Sequence, residues 1–101
     1  MVEYNRNTKI TVGTTSVVAS TSKEGLNAIR TGIILTNTST GAQTITVSID
    51  SPAVSGEGIV LYPGGTWLDS KDGGGLPTQR SVNVISDLAG AVLSIQERME
   101  Q

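Results

Sequence analysis

Short segments in which apolar and polar residues alternate, each closed by Gly, Pro, Asn or Ser, fill this chain from Thr8 to Arg98. Ile10-Thr11-Val12, Ile45-Thr46-Val47-Ser48-Ile49 and Val82-Asn83-Val84 repeat at period two, the pattern of strands with one buried and one wet face. That period excludes a helical bundle, as do the excess of β-branched residues and the glycine punctuation. Strands are expected at 8–12, 16–19, 30–37, 43–50, 58–62, 66–69, 80–86 and 91–97. Eight short strands at this spacing predict an all-β fold, a single antiparallel β-sandwich of Greek-key or jelly-roll type.

Domain boundaries follow the same pattern. Residues 1–7 are polar and carry no period, so they read as an N-terminal arm. The sandwich covers 8–98, and 99–101 form a C-terminal tail. Thr38-Ser39-Thr40-Gly41 is expected to join 30–37 to 43–50 as a hairpin. Asp87-Leu88-Ala89-Gly90 is expected to join the last two strands in the same way. Pro63-Gly64-Gly65 is a strong turn signal, because Pro presets φ and Gly accepts φ > 0. Gly73-Gly74-Gly75 reads as a flexible loop. The expected inward set is Ile10, Val12, Ile33, Leu35, Ile45, Val47, Ile49, Ile59, Leu61, Val82, Val84, Val92 and Ile95.

Composition enters where chemistry is asked for. The chain has no His and no Cys, and only 16% of it is charged, so common general bases, thiol nucleophiles and metal ligands are absent or scarce. Ser without His, or without a spaced Lys partner, makes no nucleophile. The acidic residues fall mostly in loops and tails, with few aromatic rings to hold a sugar between two of them. Asp69-Ser70-Lys71-Asp72-Gly73 fails the EF-hand spacing, since Lys71 and Gly73 stand where oxygen ligands are required. The paired and tripled glycines lack the Lys-Ser/Thr of a phosphate loop. Asn37-Thr38-Ser39 matches a glycosylation sequon too short to argue from alone. No catalytic, cofactor-binding or metal-binding residue is assigned, and the chain is expected not to be an enzyme.

With seven Lys and Arg spread singly and a net charge of −2, nucleic-acid binding is not expected. No segment approaches the length of a membrane span, and the first residues lack the apolar core of a signal peptide. The core must be aliphatic, since the only aromatic residues are Tyr4, Tyr62 and Trp67. So small a domain gains from association, and the chain is expected to act as a homo-oligomer. Contacts are expected from tails and loops, with Tyr4, Arg6, Asp69, Lys71, Asp72, Arg98 and Met99 as candidates.

The ordered series Ile10–Ala19, Arg30-Thr31-Gly32-Ile33-Ile34-Leu35-Thr36-Asn37, Gln43–Ile49, Gly58–Gly65, Val82–Ser86 and Ala91–Glu97 resembles small β-sandwich structural proteins of phages and other viruses. An Arg-led strand ending in Asn and a Leu-x-Pro-Gly-Gly turn recur there in this order. The resemblance implies a virion component: a capsid decoration, vertex or single jelly-roll minor capsid protein. It implies location in the virion, contacts with other capsid proteins and a trimer or pentamer. Two other readings stand beside it. A carbohydrate-binding module or receptor-binding fibre domain would need Tyr62 and Trp67 as an exposed glycan platform. A pilus-like adhesion subunit would donate residues 1–7 into a neighbour's sheet, and a complete sandwich in each chain would argue against that donation.

Overall fold

The computed structural model describes residues 3–23, 28–71 and 76–100. Eight strands follow one another: β1 (Glu3–Val12), β2 (Val17–Ser20), β3 (Ile29–Asn37), β4 (Ile45–Ile49), β5 (Ile59–Leu61), β6 (Thr66–Ser70), β7 (Val82–Ser86) and β8 (Ala91–Glu100). They form two four-stranded antiparallel sheets, in the orders β1-β8-β3-β6 and β2-β7-β4-β5. First pairs with last, second with seventh, third with sixth and fourth with fifth. These nested pairs, rolled so that β3 also meets β8 and β4 also meets β7, make a jelly roll. The expected all-β sandwich is the observed fold.

Strand positions follow the sequence pattern closely, but the pairing of neighbours does not. Only β4 and β5 are consecutive in sequence and paired; every other connection crosses from one sheet to the other. The expected hairpins between 30–37 and 43–50, and between the last two strands, are therefore inter-sheet arches. Alternation decides which face of a strand is buried, and facing a strand across the core buries it as well as lying beside it. The Pro63-Gly64 turn is as read: Gly64 has φ +85°, and the Gly65 N–H bonds the Tyr62 carbonyl at 2.7 Å.

The core between the sheets is aliphatic, built on Val12, Ile33, Leu35, Ile45, Val47, Leu61, Val82, Val84, Leu93 and Ile95, with Ile10, Ile49, Ile59 and Trp67 half-buried against it. Val92 is a correction. Ala91, Leu93 and Ile95 point inward, so Val92 takes the opposite face and is only half-buried.

Residues 3–7 of the supposed arm and 99–100 of the supposed tail are strand, the remainder lying outside the described residues. From Glu3 to Asn7 the chain pairs residue by residue with Glu100 to Gln96, and Met99 is 4% exposed. Their inner face lies beyond the aliphatic core and is lined by Tyr4 and Arg6, so hydrophobic periodicity gives no sign of it. The Tyr4 hydroxyl reaches the Met99 sulfur at 3.8 Å.

On the far side of the second sheet, residues 50–58 lie across β4 and β7. The Gly56 N–H bonds the Thr46 hydroxyl at 3.0 Å, Asn83 donates to the Ser51 carbonyl at 2.7 Å, and the Ala53 N–H bonds Ser16 at 2.8 Å. This cover explains why Thr46 and Asn83, on an outer face, are buried.

Candidate functional site

Strand β3 carries a buried polar residue at each end. At its start stands Arg30, 0% exposed. Uninterrupted alternation from Ile33 would turn Arg30 outward with Gly32 and Ile34. A bulge intervenes: Arg30 pairs with Met99 and Gly32 with Arg98, leaving Thr31 as the extra residue. The phase flips, and the guanidinium enters the interior.

There all five of its N–H groups are used. Nε donates to Glu97 Oε2 at 3.1 Å, and Nη1 donates to the Thr78 and Arg80 carbonyls at 2.7 and 3.0 Å. Nη2 donates to Ser20 Oγ at 2.6 Å and to the Thr21 carbonyl at 3.1 Å. The Ser20 hydroxyl in turn donates a hydrogen bond to Glu97 Oε2 at 2.7 Å. Gln79 closes the arrangement, accepting from the Arg30 N–H and donating back to the Arg30 carbonyl, both at 2.8 Å. One side chain thus ties β2, β3, β8 and the chain leading into β7 together. A buried charge is tolerable only when paired and hydrogen-bonded in this way.

Glu97 is 0% exposed as well, and its second oxygen, Oε1, accepts no hydrogen bond. Arg6 Nη1 stands 3.6 Å from it, from a side chain about half exposed. Lys23 is buried nearby, and its ammonium is held below its ordinary pKa of 10.5 by that burial, with Glu97 opposing the shift and Arg30 and Arg6 adding to it.

At the other end of β3, buried Asn37 plays the matching part. Its side chain donates to the Gln43 and Leu61 carbonyls at 2.8 and 2.9 Å and accepts from the Ser39 N–H at 3.1 Å. Its backbone exchanges bonds with Gly65 and Gly64. The Arg-led strand ending in Asn is therefore a strand with a polar anchor at either end of the sandwich.

The expected assembly residues gather around one end. Tyr4, Arg6, Arg98 and Met99 lie together on the β1–β8 ladder. Lys71 bonds Glu100 at 2.8 Å, and Arg98 Nε is 3.9 Å from Glu3. Asp69 turns inward opposite Ile33 and accepts the Thr78 N–H at 3.2 Å. Met99, expected at an exposed contact, is instead buried. Asp72 and the triple glycine lie outside the described residues. Asn5, Gly32, Ile34, Leu68, Gln96 and Arg98 border a depression of about 750 Å³ on the outer face of the first sheet.

Tyr62 and Trp67 do not make a paired exposed platform. Trp67 stands opposite Leu35 and packs on the core, while Tyr62 in the turn is 68% exposed.

The edges of the two sheets differ sharply. Three are short: β6 has five residues, β2 has four and a bulge, and β5 has three. The fourth, β1, runs ten regular residues and, among the described residues, is paired on one side only, to β8. Half of its backbone N–H and C=O groups point away from that partner. Short or bulged edges resist joining another chain, whereas a long regular one is a template for it.

No protein-family model matches this chain, and no curated protein matches it. A solved structure of a Bacillus endospore appendage protein, from appendages described as a novel family of disulfide-linked pili, is similar to it over 99% of this chain and 87% of the other. The TM-score is 0.57 and the sequence identity 16%. At that identity the likeness is one of fold.

Proposed function

We propose that this chain is a non-enzymatic structural subunit that works by joining copies of itself into a larger assembly. The observation that carries the reading is the ten-residue edge of β1, open among the described residues, on a sandwich whose other edges are short. The polar side chains that could have served chemistry support it too. Arg30, Glu97, Ser20 and Asn37 are engaged in holding strands and loops.

The finer reading is a component of a virus particle, a capsid decoration, vertex or minor capsid protein, arranged as a trimer or pentamer with other capsid proteins. Its support is the jelly roll itself, an architecture of capsid domains, together with the anchored Arg-to-Asn strand. A second reading, a subunit of an appendage, is favoured by the likeness to the endospore pilus protein. This chain has no cysteine, so joints made by these residues would not be disulfides. Donation of residues 1–7 is not the joint proposed, since residues 3–7 already complete their own sheet.

Sedimentation with electron microscopy of the concentrated protein tests both readings. Closed rings or shells support the virion component, and open filaments support the appendage. A protein that stays monomeric at high concentration, and is missing from purified particles and appendages alike, overturns the proposal.

A further inference from the structure

We propose that β1 pairs with β1 of a second copy, antiparallel, about a two-fold axis through Asn7, so that the two β1-β8-β3-β6 sheets become one eight-stranded sheet. The inference rests on the assembly reading above and names one of its contacts, since a two-fold pairing closes a dimer and a larger assembly needs a second joint.

The argument begins with the edges. Pairing β1 with β2, β5 or β6 of another copy would engage at most five residues of the shorter strand. Only a second β1 offers a partner of equal length. Identical strands joined side by side and antiparallel are related by a two-fold axis normal to the sheet, an isologous contact. Such an axis keeps outer faces on the outside, and directly opposed residues share a face. Glu3, Asn5, Asn7, Lys9 and Thr11 therefore meet one another, as do Tyr4, Arg6, Thr8 and Ile10, and the axis must pass through a residue.

Charge selects which one. Centring on Arg6 sets two guanidinium groups face to face, and like charges directly opposite are unfavourable. Centring on Thr8 sets Arg6 against Ile10 and leaves Glu3 without a cross-strand neighbour. Centring on Asn7 opposes Arg6 to Thr8, Lys9 to Asn5 and Glu3 to Thr11, with the two Asn7 amides together. It also lays the partly exposed Tyr4 ring on half-buried Ile10 of the other copy, twice, an aromatic and β-branched pairing that stabilises sheets. In this register the half-exposed Arg6 is covered while it stays beside Glu97.

The absence of cysteine supplies a clean probe, because each Cys variant carries one thiol. Opposed residues on antiparallel strands have Cα atoms about 4.5–5.5 Å apart, within disulfide reach. Under mild oxidation Asn7→Cys is expected to run as a disulfide-linked dimer. Lys9→Cys, displaced by four residues from its own copy, is expected to cross-link at least about ten-fold less. Asn7→Asp, which sets two carboxylates face to face, is expected to weaken dimerisation about two- to five-fold at low salt, with recovery as salt is added. Equal cross-linking at both positions overturns the register. Wild-type oligomers with no Asn7→Cys cross-link overturn the β1 contact while leaving the assembly reading standing. A wild-type monomer at every concentration, with no cross-link in either variant, overturns both.

Discussion

Arg30→Lys separates two accounts of the buried anchor. If Arg30 matters only as a positive charge facing Glu97, lysine should serve. If it matters as a five-donor fork, lysine must fail, because an ammonium has three N–H groups and at least two of five bonds go unmade. Each buried acceptor left without a donor costs about 1–3 kcal/mol, so the substitution is expected to cost about 2–6 kcal/mol. Domains of this kind are stable by about 5–15 kcal/mol in total. The midpoint of thermal unfolding should accordingly fall by about 10 °C or more. Arg30→Met goes further, leaving Glu97 buried with Ser20 as its remaining hydrogen-bond donor, and is expected to cost at least about 3–5 kcal/mol. Urea unfolding followed through the single Trp67 measures both, provided the m-value is unchanged. Arg30→Lys within about 1 kcal/mol of the natural chain would refute the fork, since two orphaned acceptors cannot cost so little.

Asn37→Ala orphans the Gln43 and Leu61 carbonyls and should cost about 2–4 kcal/mol, with faster hydrogen exchange at Ser39 and Gly64. Gly58→Ala should cost about 2 kcal/mol or more by thermal melt, because φ is +140° and a Cβ there would meet the Val47 carbonyl oxygen. Trp67→Ala should cost about 2–4 kcal/mol in urea, whereas Tyr62→Ala should stay within about 0.5 kcal/mol, one ring being packed and the other wet. Lys23 binds its proton less tightly folded than unfolded, so stability should rise as pH climbs through its lowered folded pKa up to 10.5. Lys23→Met should abolish that rise in pH-dependent urea midpoints.

Much of this fold was legible because period-two alternation is a local signal. It located the eight strands, most of the inward residues and the Pro63-Gly64 turn. What it could not carry was the choice between lying beside a strand and lying across from it, so 38–41 and 87–90 read as hairpins when they belong to arches. The anchors show a second reason. Glu97 continues the inward series of Ala91, Leu93 and Ile95, and a carboxylate in that series was a visible sign of a buried partner. Arg30 gave no such sign, since one extra residue at Thr31 reverses its face and no local pattern announces a bulge. Glu3–Asn7 escaped because a strand lying over an ionic anchor has no need of apolar alternation.

The place of β8 in the sheet sets the order in which a new chain can settle. It lies between β1 and β3, yet it is made last of the three, some eighty residues after β1 has left the ribosome. Until residues 91–100 emerge, β1 has no neighbour and β3 lacks the strand that carries Glu97, so Arg30 waits without its counter-ion. The β4–β5 hairpin can close early, and the remaining pairs must nest outward from it. Synthesis therefore delivers the first seven strands as an open half-roll that residues 91–100 lock, and the same residues decide when its long edge becomes presentable to another copy.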